Sequence, residues 1–162
     1  MAMKFNADEI FEMAIQAESN AFKMYRDLAE KHVDPAVAEE LKKLAEMEKN
    51  HEGIFVELRK SLPEDMRTAT FDPNEDVTLY LQAVADAEVG EGSPEIAEGM
   101  TGEESFEDVL KLAIELEKQA VLFYLGIRDL VPERLGRDKV ERVIKEEQNH
   151  IVVLTKRLKS IQ

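Results

Sequence analysis

The chain has 162 residues, 44% of them apolar and 35% charged, with a formal charge of −14 and no cysteine. That length suits one domain around one core, residues 1–162. The acidic balance argues against nucleic acid and against anionic membrane surfaces, which both call for an excess of Lys and Arg. Without cysteine the sequence offers no disulfide, no thiolate nucleophile, no iron–sulfur cluster and no four-cysteine iron site. Met1 to Lys4 runs straight into a helix start, and the apolar run Ala120–Leu125 is far shorter than the ~20 residues of a membrane span, so the expectation is a cytoplasmic protein.

Only 7 Gly and 5 Pro punctuate the chain, which favours helices over strands. Asn6 with Glu9 forms a candidate capping box, and Ile10, Phe11, Ala14, Ala17, Ala21, Phe22, Tyr25 and Leu28 follow with helical period. This stripe ends near His32, which is placed to compensate a helix dipole. Asp34-Pro35 supplies N-cap and first residue for a second helix carrying Val37, Leu41, Leu44, Phe55 and Leu58, stopped by Leu62-Pro63. Residues 63–104 are rich in Pro, Gly and acids and read as a long crossover, with short helical turns at Asp72-Pro73 (carrying Val77, Tyr80, Leu81 and Val84) and at Ser93-Pro94. A third helix starts at Ser105, with Asp108 at its third position and a stripe of Val109, Leu110, Ala113, Ile114, Ala120, Val121 and Tyr124. Pro132 and Gly136 mark a connector, and a fourth helix carries Val140, Val143, Ile144, Ile151, Leu154 and Leu158. The chain is therefore all-α: a helix pair, a crossover, and a second helix pair.

The second pair repeats the first. Glu48-Lys49-Asn50-His51 and Glu147-Gln148-Asn149-His150 are two Glu-x-x-His steps 99 positions apart (147 − 48), and Glu18 and Glu117 repeat at the same offset. Each of these residues falls where the stripe calls for a hydrophobe: Glu18 between Ala17 and Ala21, Glu117 between Ile114 and Ala120, Glu48 and His51 between Leu44 and Phe55, Glu147 and His150 between Ile144 and Leu154. Burying one unpaired carboxylate costs several kcal/mol. Four of them would rival the ~5–15 kcal/mol net stability of a domain. The stripes provide no Lys or Arg to compensate, whereas two divalent cations would balance four carboxylates. A Glu and a His three residues apart lie on adjacent turns, roughly 5–6 Å apart at Cβ, and can reach one ion. A glutamate from each of the other two helices can bridge or chelate. Four glutamates and two histidines on helices make a ligand set for a metal pair in a four-helix bundle. Mixed carboxylate and imidazole suits iron or manganese, and zinc can also bind. The metal ligands are thus Glu18, Glu48, His51, Glu117, Glu147 and His150.

Tyr25 and Tyr124 share the 99-residue offset and lie on the ligand face. Each phenol can either donate to a ligating carboxylate of the opposite pair or serve as a large core residue. Glu46, Glu52, Glu115 and Glu146 flank the ligands but fall off the stripe and read as solvated. Met13, Met24 and Met47 read as core or boundary filler.

Lone glutamate, Glu-x-x-His, long crossover, lone glutamate, Glu-x-x-His: over nearly the whole chain this order resembles the ferritin-like superfamily, and its rubrerythrin-type branch most. Leu79-Tyr80-Leu81-Gln82-Ala83-Val84-Ala85-Asp86 is similar to the crossover of that branch. The resemblance implies a ferritin-like four-helix bundle and two iron ions on the six residues above. It further implies a di-iron oxidoreductase that takes peroxide or oxygen as its small substrate, with electrons from a separate donor protein. Ferroxidase activity with iron storage or delivery, and a non-catalytic bundle that metal merely stabilises, are the alternatives. The chain departs from the branch in lacking the cysteines of a rubredoxin-type iron site and in having Ala120 where rubrerythrins carry an additional glutamate. Lys49 stands where bacterioferritins carry a haem-ligating methionine, and the long spacing between Glu48 and Glu117 speaks against a storage cage, so a homodimer is expected.

Overall fold

The computed structural model describes residues 7–67, 76–85 and 100–162. Six α-helices occur among them: α1 (Ala7–Lys31), α2 (Pro35–Lys60), the single turn α3 (Glu64–Arg67), α4 (Asp76–Ala85), α5 (Phe106–Arg128) and α6 (Arg137–Ile161), with a 3₁₀ turn at Glu133–Leu135. The capping box at Asn6 and the turns expected at Asp72-Pro73 and Ser93-Pro94 lie outside the described residues.

The helix starts follow local chemistry. Asp34 caps α2 by accepting from the Ala36 N–H at 2.8 Å, with Pro35 as first helical residue. Ser105 Oγ accepts from the Asp108 N–H at 3.1 Å and donates to the Asp108 carboxylate at 2.8 Å, closing the first turn of α5. Gly136, with φ of 102°, makes the left-handed step from the 3₁₀ turn into α6 that a residue with a Cβ would adopt only under strain.

α1 packs along α2 and α5 along α6, and the two pairs bury one another. Phe11, Phe55, Tyr124, Val140 and Val143, drawn from all four long helices, share one apolar cluster. Tyr25, Leu41, Leu110, Leu116 and Leu154 share a second. The described part of the crossover is held at its start by Arg67 of α3, which pairs with Asp8 of α1 at 3.1 Å, and at further points beyond it. Leu81 of α4 is buried in the first cluster, and α4 lies so close to α5 that a Cβ on Gly126 would stand 2.6 Å from the Tyr80 ring. Tyr80 also donates from its hydroxyl to the Leu122 carbonyl. At the crossover's far end Gly102, with φ of 89°, sits against the end of α1, where any Cβ would meet the Lys31 carbonyl oxygen at 2.3 Å.

His32 also makes two specific contacts at the end of α1. Its Nδ1 accepts from the Asp34 N–H at 3.1 Å, and its Nε2 lies 3.0 Å from the Glu104 carbonyl oxygen. The ring thus connects the α1–α2 turn to the start of α5. No helix among the described residues is long and apolar enough to cross a membrane.

Candidate metal centre

Glu18, Glu48, His51, Glu117, Glu147 and His150 are the charged or polar side chains that the bundle buries among the described residues, each at most 3% exposed. All six come from apolar stripes, one each from α1 and α5 and two each from α2 and α6, and they meet in the middle of the bundle between its two apolar clusters. They form two groups whose ligand atoms lie within 4.8 Å of one another: Glu18, Glu48, His51 and Glu147; and Glu48, Glu117, Glu147 and His150. Glu48 and Glu147 belong to both groups. The glutamates of the Glu-x-x-His steps are therefore the shared pair, and the lone glutamates Glu18 and Glu117 serve one group each. Sequence spacing had left bridging open to the lone glutamates; the stagger between helix pairs decides it.

Both imidazoles turn Nδ1 inward. His51 Nδ1 lies 2.7 Å from Glu147 and 3.8 Å from Glu18, and His150 Nδ1 lies 3.1 Å from Glu147 and 3.4 Å from Glu117. The rings stack with centroids 5.7 Å apart. The short His51–Glu147 approach lacks hydrogen-bond alignment, and among the described residues Glu18 Oε2, both oxygens of Glu147 and His51 Nδ1 are buried without a hydrogen bond. Buried polar atoms are as a rule satisfied. A set of carboxylate oxygens and an imidazole nitrogen converging without partners fits a pair of divalent cations, and hard-to-borderline donors of this kind suit iron, manganese or zinc.

The electrostatics state the same strain in terms of protons. Burial, and then the charge of Glu147, pushes Glu18 up to about 7. Burial and Glu147 likewise lift Glu117 well above the usual carboxylate range. Burial alone would raise Glu147 too, but its contacts with Glu117, His150 and His51 outweigh that and hold it below the ordinary range. Burial opposes a charge on His150, yet Glu117 and Glu147 overcome it and raise the ring to about 10. His51 is raised in the same way, against burial, chiefly by Glu147. Without cations, the cluster thus holds protons on Glu18, Glu117 and the imidazoles, around an ionised Glu147.

Both tyrosines reach across the bundle. Tyr25 donates to Glu117 Oε1 at 3.4 Å, and Tyr124 donates to Glu18 Oε1. Each hydroxyl thus touches the lone glutamate of the opposite helix pair while the ring fills the core, so the two roles open at the sequence level are held together.

Glu146 corrects the sequence reading. It is not simply solvated: its Oε2 lies 2.8 Å from His51 Nε2, and its Oε1 accepts from Arg142 Nε at 2.8 Å. Burial works against its charge, but Arg142 and His51 hold the carboxyl below its usual range. The available signal was chemical rather than periodic. A ligating histidine needs an acceptor for its second nitrogen, and an acid beside the opposite Glu-x-x-His step was the place to look. Glu115, by contrast, is exposed and paired with Lys118 at 2.6 Å.

The rubrerythrin family model matches residues 9–104, more than half of the chain, including Glu18, Glu48 and His51. The chain belongs to the rubrerythrin family. Among solved structures, one from Thermotoga maritima, provisionally described as a ferritin-like diiron-carboxylate protein, is similar over 100% of both chains, with a TM-score of 0.73 and 19% identity. At that identity the likeness shows a shared ferritin-like bundle. No curated protein matches the sequence. The rubrerythrin match stops before α5, so the second ligand group rests on the internal repeat and on the geometry above.

Proposed function

We propose that the chain is a di-iron carboxylate oxidoreductase that reduces peroxide or oxygen. In this reading Glu18, Glu48, His51, Glu117, Glu147 and His150 hold two iron ions, and a separate protein donates the electrons. The carrying observation is the pair of buried ligand groups that share Glu48 and Glu147, a layout for two adjacent ions rather than one. Membership of the rubrerythrin family supports iron over manganese or zinc.

Bound ferrous ions would supply one electron each, and with two protons this converts hydrogen peroxide into two waters. The protein's own part is to hold that pair dry and oriented. Phe11, Phe55 and Tyr124 on one side and Leu41, Leu110 and Leu116 on the other exclude water. Tyr25 and Tyr124 fix the lone glutamates through their Oε1 atoms, while the Oε2 atoms face the histidines. The sequence has no cysteine for an iron–sulfur relay, and the reading assigns electron delivery to another protein.

The test is stopped-flow mixing of the anaerobically iron-loaded, reduced protein with hydrogen peroxide and, separately, with oxygen. One equivalent of peroxide should oxidise both ions of a chain, far faster than it oxidises ferrous iron in buffer. Oxidation no faster than in buffer would remove the enzymatic reading. Oxidised iron accumulating well beyond two ions per chain would replace it with storage.

A further inference from the structure

The two helix pairs exchange contacts under the 99-residue offset. Tyr25 touches Glu117 and Tyr124 touches Glu18; His51 Nδ1 faces Glu147 and His150 Nδ1 comes within 4.0 Å of Glu48. The centre is a pseudo-two-fold arrangement with each half completing the other. One contact breaks that symmetry. His51 Nε2 meets Glu146 at 2.8 Å, and the residue at the offset position of Glu146 is Met47 (146 − 99). His150 Nε2, correspondingly, is buried and has no hydrogen-bond partner among the described residues.

We propose that the two metal positions are unequal, and that Glu146 is the positioning residue that makes the His51 position the tighter one and the first to fill. The inference rests on the reading of these residues as a two-metal centre. An imidazole that gives Nδ1 to a metal carries its proton on Nε2. For His51 that proton has an acceptor, so the ring is fixed in one tautomer and one orientation, and the carboxylate behind it makes Nδ1 a stronger donor. Arg142 holds the other oxygen of Glu146 and so aims the carboxylate. For His150 the same proton has no acceptor among the described residues, and the offset position carries Met47 in place of a carboxylate, which weakens that position by the cost of an unmet donor. The two groups are alike in ligand type, three glutamates and one histidine each, and Glu146 is the carboxylate that one histidine has behind it and the other lacks.

The experiment titrates the metal-free full chain with Co(II) alone, followed by absorbance and calorimetry. Wild type should take up two ions in two resolved steps. Glu146→Ala should weaken the first step by about 10–100-fold and leave the second in place, so that the two merge. Glu146→Gln keeps an acceptor oxygen and should recover part of the loss. Met47→Glu gives His150 the missing acceptor and should strengthen the second step. In the Zn(II)-loaded protein, the Nε2–H proton resonance of His51 should lie downfield in wild type and move upfield in Glu146→Ala, with that of His150 unmoved. Two ions bound with indistinguishable constants in wild type, or steps unchanged in Glu146→Ala, would overturn the inequality while leaving the two-metal reading intact. Failure of wild type to bind Co(II) would remove both. Should Glu146→Ala fail to fold, Met47→Glu decides alone: an unchanged second step overturns the proposal.

Discussion

Glu147→Ala should abolish metal binding at both positions, Glu117→Ala should leave at most one ion per chain, and Glu115→Ala should leave two. The three residues differ in place. Glu147 belongs to both ligand groups, Glu117 to the group with His150, and Glu115 is exposed and bound to Lys118. Losing a shared carboxylate removes a donor from each ion and leaves two cations facing three carboxylates. Glu147→Gln keeps the side-chain volume and should behave like the alanine variant, which separates loss of charge from loss of packing. Elemental analysis of desalted protein after anaerobic metal loading reads the result. Equal losses from Glu115→Ala and Glu117→Ala would show the register to be wrong.

The metal-free protein should be less stable at about pH 9 than at about pH 5.5, and metal should reverse the trend. Glu18 has a folded value of about 7 against 4.5 for an ordinary glutamate, so the stability it contributes is complete below 4.5 and lost as pH rises through about 7. Glu117 acts in the same direction. His150, raised from 6.5 to about 10, contributes fully below 6.5 and ceases to contribute as pH rises through about 10. Glu147, held low, contributes above 4.5 and loses its part only on the acid side of that value. At ~1.4 kcal/mol per unit, Glu18 alone represents about 2 kcal/mol across this window, since the window opens above 4.5. For a chain of this size that corresponds to roughly 4–8 °C in Tm. In the metal-loaded protein, protons compete with cations for the same glutamates and histidines, so stability should instead rise with pH over the same range. Melting curves at the two pH values, with and without a chelator, check both signs. A midpoint that ignores chelation and pH would mean that the buried glutamates do not form a metal cluster.

The legible parts of this molecule are those that depend on one helix at a time. Asp34-Pro35 and Ser105 mark helix starts because caps are local, and the six candidate ligands stand out because a charge on an apolar stripe violates a period any single helix must keep. The 99-residue offset then supplied the second half of the centre, even though the family match ends at residue 104. What the sequence hid lies between helices. Which glutamates are shared depends on the stagger of one pair against the other. The contact of Glu146 with His51 joins α6 to α2 from a position that periodicity assigns to solvent. The helix end at His32 is visible in sequence, whereas the Glu104 carbonyl that its ring meets is 72 residues away.

The most direct test of the two-metal centre is its stoichiometry. The purified chain is stripped with a chelator, loaded anaerobically with Fe(II) or Mn(II), desalted, and measured for metal and protein together. Four buried carboxylates and two imidazoles arranged as two overlapping groups predict about two ions per chain, with both lost together in Glu147→Ala. A ratio no higher than trace, or a ratio of two that persists in Glu147→Ala, would contradict it.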